Sequence, residues 1–388
     1  MNLQTPVTAE QQDGAQFDRI RKPRHQDMLV FAARKSGRSV MQIQRDFSRL
    51  SRQDGRINMV EYLLHGLYEE DRYSDAQRAE FIGNDIHWPI THTCNNPGWQ
   101  QAAEDKALAA TLLRAGDVPV PDCLAVIDRS PRIYPGMQKI TSAEDLRDFC
   151  LQNVQGGLFG KILGGMVGFG VFRIENADDT HLFCSNHEPM TYADFLQNLV
   201  ADNKYLIQRQ LRNHSKIADY ASALATIRMV NLVTPDRVFT PVAAMAMAQG
   251  NNIADAFWRD ENIACGIDLE TGKIETVAKR NEMVIEYLAD HPEKPGLKGL
   301  ELPHWQELRD INERAAKLFA PIRYQSADIA ITETGPVIVE INYGCGFGLP
   351  QQASGQGMLT PEVKAFFQEC GYDFTSKGGK KRSFFRRR

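Results

Sequence analysis

Asp328-Ile-Ala-Ile-Thr-Glu-Thr-Gly-Pro-Val-Ile-Val-Glu340-Ile-Asn342 decides the reading of this chain. Two β-branched runs, Asp328–Thr332 and Val337–Asn342, flank a Glu333-Thr334-Gly335-Pro336 turn, which predicts a β-hairpin. Alternate side chains of a strand share a face, so Glu340 and Asn342 point the same way. Twelve positions separate Asp328 from Glu340, so the hairpin can bring Asp328 beside them. Two carboxylates and an amide oxygen are hard donors suited to Mg²⁺. The competing reading is a hairpin with polar tips in solvent. Ile338 and Ile341 flank the acids on mixed parity, so the pattern does not exclude it.

Upstream, Gly156-Gly-Leu-Phe-Gly-Lys161-Ile-Leu-Gly164-Gly165-Met-Val-Gly168-Phe-Gly170-Val places a lysine inside an apolar strand. A buried ammonium needs a partner, because an unpaired buried charge is very costly. The glycines beyond it would let backbone N–H groups approach phosphate oxygens. Their spacing is neither GxGxxG nor GxxxxGK[ST], and a hairpin follows instead of a helix. A plain flexible turn is the alternative. Tyr205-Leu-Ile-Gln208-Arg-Gln-Leu211 is an alternating strand whose backbone could meet adenine edges. Arg228, among apolar strand residues, is either an anion clamp or half of a salt bridge.

These signals, in this order, resemble the ATP-grasp superfamily, and most of all its sugar-transfer-associated branch. Further similar blocks are Ala33-Arg-Lys-Ser-Gly-Arg-Ser, Ile57-Asn-Met-Val-Glu-Tyr, Asp105-Lys106 with downstream Val118-Pro-Val-Pro, Gly266-Ile-Asp268 and Leu302-Pro-x-Trp305. The resemblance spans roughly residues 30–355. It implies an α+β fold in which two subdomains clasp ATP, preceded by an α/β domain and a helical N-terminal extension. Lys106 and Lys161 match the phosphate-contacting lysines, and Gly164, Gly165, Gly168 and Gly170 the flexible lid. Gln208, Arg209, Gln210 and Leu211 match the adenine hinge, and Asp328, Glu340 and Asn342 the magnesium ligands. ATP and Mg²⁺ are therefore the expected cofactors. The usual hinge acid is missing, which leaves the ribose to Asn213 or His214. Ser326 stands where ligases of the D-alanine type carry an arginine, and Arg228 is the substitute expected to stabilise the transition state.

The implied activity is an ATP-dependent carboxylate–amine ligase working through an acylphosphate. A phosphotransferase acting on a hydroxyl and a nucleotide-binding regulatory module are the alternatives. The implied partners are small-molecule carboxylates and amines, and a homo-oligomer is left open.

Composition bounds these readings. At 388 residues and 43% hydrophobic, the chain is long enough for two or three domains and is neither disordered nor fibrous. The expected divisions are a helical region at 1–75, a pre-domain at 76–155, the clasp at 156–355 and a C-terminal segment at 356–388. Residues 377–388 carry seven basic side chains and no acid, so a whole-chain charge of −4 means −11 for the rest. That body attracts no nucleic acid, while the tail could contact an anionic surface. Seven scattered cysteines without a CxxC pair fit a reducing compartment. With no signal segment and no apolar run long enough for a membrane, a cytoplasmic location is expected. Cys345, beside the hairpin, is read as a pocket-lining thiol. Helices are expected near 28–50, 58–67, 100–114, 142–152, 191–198 and 304–318. Residues 1–16 are expected to fray and 80–100 to be loop.

Overall fold

The structure, a computed structural model, describes residues 8–18, 24–165, 168–281 and 283–375. The basic run Lys377–Arg388 lies outside them. Two seven-stranded sheets form the frame. The first contains β1 (Cys123–Ile127), β2 (Gln138–Ile140), β3 (Leu158–Ile162), β4 (Phe172–Ala177), β5 (His181–Cys184), β6 (Met190–Thr191) and β7 (Tyr205–Arg209). Their spatial order is β2-β1-β7-β3-β4-β5-β6, so segment 76–155 gives its strands to the same sheet as β3–β7. The second contains β8 (Thr226–Val233), β9 (Val238–Met247), β10 (Ile263–Ile267), β11 (Ile274–Asn281), β12 (Val284–Leu288), β13 (Tyr324–Thr332) and β14 (Gly335–Asn342). Its order is β12-β11-β10-β9-β8-β13-β14.

Each sheet buries one face under helices. Leu146, Phe149 and Cys150 of the helix Ala143–Asn153 pack on Leu158, Phe172, Ile174 and Tyr205. Ser142 and Asp145 close that helix start with a capping box. Trp305, Leu308 and Ala315 of the helix Trp305–Leu318 cover Ile227, Met245, Ile329, Ile338 and Ile341 of the second sheet. The segment after Val118 runs along the second sheet's edge, where the Ile338 N–H donates to the Pro119 carbonyl at 2.9 Å, before entering β1.

The hairpin is irregular where it matters. Asp328 faces Glu340, yet Ile329 faces Ile338, so Val339 is one extra residue, a β-bulge. The bulge accounts for the mixed parity. It keeps Ile338 and Ile341 both in the core while Glu340 and Asn342 share the opposite face with Asp328. The turn itself is only Glu333-Thr334, with Gly335 already paired to Thr332.

Three segments differ from expectation. Of residues 1–16, the first seven lie outside the described residues, and the rest do not fray: Ala9–Asp18 is a helix, with Ala9 buried in the core of the first sheet. Residues 80–100 are not loop, because they hold the helix His87–Cys94 between short turns at Asn84–Ile86 and Pro97–Trp99. Pro89 lies in the first turn of that helix, where a missing N–H costs no hydrogen bond. The helix expected at 100–114 is two, Gln100–Glu104 and Lys106–Ala115. Asp105 breaks it by accepting the Leu108 N–H as an N-cap at 3.0 Å. Among the described residues, no helix is long and apolar enough to cross a membrane.

Candidate active site

A cleft opens between the two sheets. The first sheet contributes Phe159, Lys161, Ile162, Arg173 and Gln208, the second Thr226, Asp328, Val339 and Glu340. Lys106 and the segment Arg209–Leu211 complete the lining together with the loop after β9. The Asp105 cap makes Lys106 the first residue of its helix, and its backbone N–H docks on the Leu163 carbonyl at the end of β3. From there its ammonium reaches Glu340 Oε1 at 3.0 Å and the Gly165 carbonyl at 2.5 Å. Lys161 crosses the cleft to donate to the carbonyl of Val339, the bulged residue, at 3.0 Å.

Asp328 and Glu340 are direct cross-strand partners, and Asn342 faces Ser326 one rung further. Arg228, opposite Asp328 on β8, grips it through Nε and Nη2 at 2.8 and 2.7 Å. The Asn342 amide nitrogen donates to Asp328 Oδ2 at 3.3 Å and Ser326 Oγ at 3.2 Å. Burial would raise the Glu340 carboxyl, but the ammonium groups of Lys106 and Lys161 outweigh it and hold it below its usual value. Burial pushes Lys161 down to about 8, against the pull of Glu340.

The hairpin acids and both lysines thus meet as the sequence suggests. Arg228 does not stand as a free anion clamp: of its two readings the salt bridge is the one observed, and its guanidinium positions Asp328. In the glycine loop, Gly165 and Gly168 line the cleft while Gly164 and Gly170 do not. The Gly170 N–H donates to Asp13 Oδ2 at 2.8 Å, and Asp13 Oδ1 pairs with Arg259 Nη2 at 2.8 Å. Arg259 also donates to the Gly168 carbonyl at 3.2 Å. Phe17, Phe169 and Trp258 pack edge to face, with centroids 5.3 to 5.6 Å apart. The N-terminal helix therefore ties the glycine loop to the loop Gln249–Asn262.

At the hinge, the Arg209 and Gln210 N–H groups already serve the Asp122 and Gly157 carbonyls at 2.9 and 3.2 Å. The Gln208 side chain turns to Cys123 Sγ at 3.2 Å. A backbone donor for adenine from Arg209 or Gln210 is therefore taken. Neither candidate for the ribose is open: Asn213 bonds Ala223 and Ala225, and His214 caps the turn Ser215–Ala218. Cys345 does not line the cleft; it is buried under β13, 3.2 Å from the Tyr324 hydroxyl. Residues that the sequence did not single out are Asp13, Arg173, Thr226, Asp255 and Arg259. Arg173 and Thr226 sit on strand faces toward the cleft, an alternation legible in hindsight; the others depend on tertiary contacts.

A family model described as sugar-transfer associated ATP-grasp matches residues 90–366, most of the chain. This chain belongs to that family. Solved structures with a similar fold include the D-alanine–D-alanine ligase from Coxiella burnetii, 14% identical, with a TM-score of 0.41 over 71% of this chain and 59% of that one. The D-alanyl-alanine synthetase A from Vibrio cholerae gives 12% identity and a TM-score of 0.43, over 71% and 66%. The biotin carboxylase domain of a 2-oxoglutarate carboxylase from Hydrogenobacter thermophilus, in complex with MgADP, gives 12% and 0.40, over 75% and 51%. The chain thus spans about six tenths of the length of the first two. Among curated proteins no relative matches. The chain has the α+β ATP-grasp fold of its family.

Proposed function

We propose that this chain is an ATP-dependent carboxylate–amine ligase that forms an amide through an acylphosphate. A sugar- or polysaccharide-related substrate follows from the family's association with sugar transfer. One observation carries the reading: Lys106 and Glu340, 3.0 Å apart, stand beside Asp328 in a cleft that Lys161 enters from the other sheet. The acids fit Mg²⁺, since Asp328 and Glu340 line the cleft as hard oxygen donors on one rung; Asn342 lies outside the lining with its amide nitrogen on Asp328, and would join them as a ligand only by turning its oxygen inward. When bound, the ion supplies positive charge to the phosphate oxygens.

The residues of the chain do the rest. ATP brings about four negative charges, which Lys106 and Lys161 help to neutralise before a second anion can approach. The apolar walls Phe159, Ile162 and Leu224 suit the base. The substrate carboxylate attacks the γ-phosphoryl, its bond to ADP breaks, and ADP leaves with the electron pair. The chain's role is to position and to compensate charge; no protein nucleophile is required. The glycine loop, held by Asp13 and Arg259, would exclude water from the acylphosphate.

The test is purified protein with MgATP, a panel of sugar acids and hydroxylamine. A hydroxamate in step with ADP is expected, reduced about 100-fold or more in Glu340→Ala. Phosphate retained on a hydroxyl acceptor, or ADP formation indifferent to Glu340→Ala, overturns the reading.

A further inference from the structure

Charged groups in the cleft pair off unevenly. Arg228 takes Asp328, and Lys106 takes Glu340. Four charged groups of the lining stand outside these pairs: Lys161, Arg173, Arg209 and, as the one carboxylate, Asp255. Lys161 bonds a backbone carbonyl. Asp255, on the loop between β9 and β10, lines the same cleft and accepts the Thr226 hydroxyl at 2.5 Å. Among the described residues no cation lies within ion-pair distance of Asp255, and Thr226 is its single side-chain donor.

This carboxylate is held in place from behind. Asn262, 1% exposed, donates to the Ala254 and Ala256 carbonyls at 3.0 and 2.9 Å, one on each side of Asp255. Its own oxygen accepts the Gln249 N–H and the Asn252 amide at 3.0 and 2.8 Å. A loop pinned at both neighbours of one acid is preorganised for that acid. Asp255 does not complete the hairpin's metal set, because no three His, Cys, Asp or Glu side chains converge to hold a metal among the described residues. Nor does it suit phosphate, which it repels. A fixed carboxylate without a cation suits a partner that brings positive charge or a proton.

We propose that Asp255 receives the amine substrate, pairing with its ammonium and serving as the base for its attack. The inference rests on the ligase reading. The ammonium gives one proton to Asp255. The nitrogen lone pair then bonds to the acyl carbon, the carbon–oxygen bond to phosphate breaks, and phosphate leaves with that electron pair. The second nitrogen proton departs with the phosphate, and Asp255 returns its own to water. Burial raises the Asp255 carboxyl to about 6, with the Asp328 charge adding to it and the Thr226 hydroxyl and the Arg228 guanidinium opposing it, so it is charged at neutral pH and still able to accept a proton.

The experiment compares Asp255→Asn with wild type in three readouts. MgATP affinity, by displacement of a fluorescent ATP analogue, is expected within about two-fold. Hydroxamate formation with the sugar-acid panel is expected to stay near wild type, because hydroxylamine is neutral at pH 7.5 and needs no counter-ion. Amide formation with a panel of amino acids and amino sugars is expected to lose about 100-fold or more in kcat/KM. A tenfold loss of MgATP affinity assigns Asp255 to the nucleotide and overturns the inference. Equal losses of hydroxamate and amide, or no loss of amide, also overturn it. A wild type that makes no hydroxamate sinks the ligase reading itself and the inference with it. Should Asp255→Asn fail to fold, Thr226→Val keeps the carboxylate and removes its donor. The acid limb of amide formation should then move to higher pH at unchanged MgATP affinity, and an unmoved limb overturns the inference.

Discussion

Raising the pH through 8 should weaken MgATP binding through one side chain. Burial holds Lys161 at about 8, so its ammonium is intact at pH 7 and largely lost at pH 9. A phosphate paired with that ammonium binds the charged form, so the affinity Lys161 contributes is present below 8 and disappears above it. Past that point each further unit should cost about tenfold, or about 1.4 kcal/mol, until the contribution of the lysine is exhausted. The assay is displacement of a fluorescent ATP analogue from pH 7 to 9.5 at fixed ionic strength and Mg²⁺. Lys161→Arg keeps its charge across this range and should flatten the profile. Lys161→Met should bind weakly at every pH, with no slope. A wild-type profile that is level from 7 to 9.5, or a slope that survives in Lys161→Arg, would refute the assignment of Lys161 to phosphate.

Other consequences are as open to measurement. Asp328→Asn leaves the Arg228 guanidinium, 26% exposed, without its counter-charge, which should cost about 2–3 kcal/mol, less than a fully buried pair; a denaturant midpoint that shifts by under about 0.5 kcal/mol would contradict this. Asp13→Asn removes the charge that joins Gly170 to Arg259, so the Gly168–Gly170 amides should exchange hydrogen about tenfold faster, and unchanged exchange would mean that the helix does not hold the loop. Gly160→Ala would set a Cβ 2.1 Å from the Phe172 ring, which is fully buried beside Phe195 and Tyr205, and should destabilise by about 1–3 kcal/mol in thermal or chemical unfolding.

What the sequence makes legible is whatever is local. The hairpin Asp328–Asn342, the helix expected near 58–67, which is Met59–Leu64, and the strand that carries Lys161 all follow from period and spacing, and all are found. What it hides is set across long separations. Asp105 reads as one more helical residue until its carboxylate caps Leu108 and turns Lys106 toward Glu340. Arg228 offers a clamp or a salt bridge with equal reason until β8 is seen beside β13. Asp13 lies 157 positions from Gly170, and Asp255 stands in a polar, glycine-poor stretch with no periodicity to mark it. Neither has a one-dimensional signature, because a loop is placed by what it touches.

The extra residue at Val339 reaches beyond strand geometry. A carbonyl displaced from the ladder is available to a side chain from another sheet, and Lys161 takes it. The same offset sorts the neighbours, sending Ile338 and Ile341 inward and Glu340 outward. Deleting that one position would leave Ile338 opposite Ile329 and Glu340 opposite Asp328 in a regular ladder, so each side chain would keep its face and the carbonyl that holds Lys161 would be lost. Cohesion therefore survives without the extra residue, and what that residue adds is an anchor for an ammonium group from across the cleft.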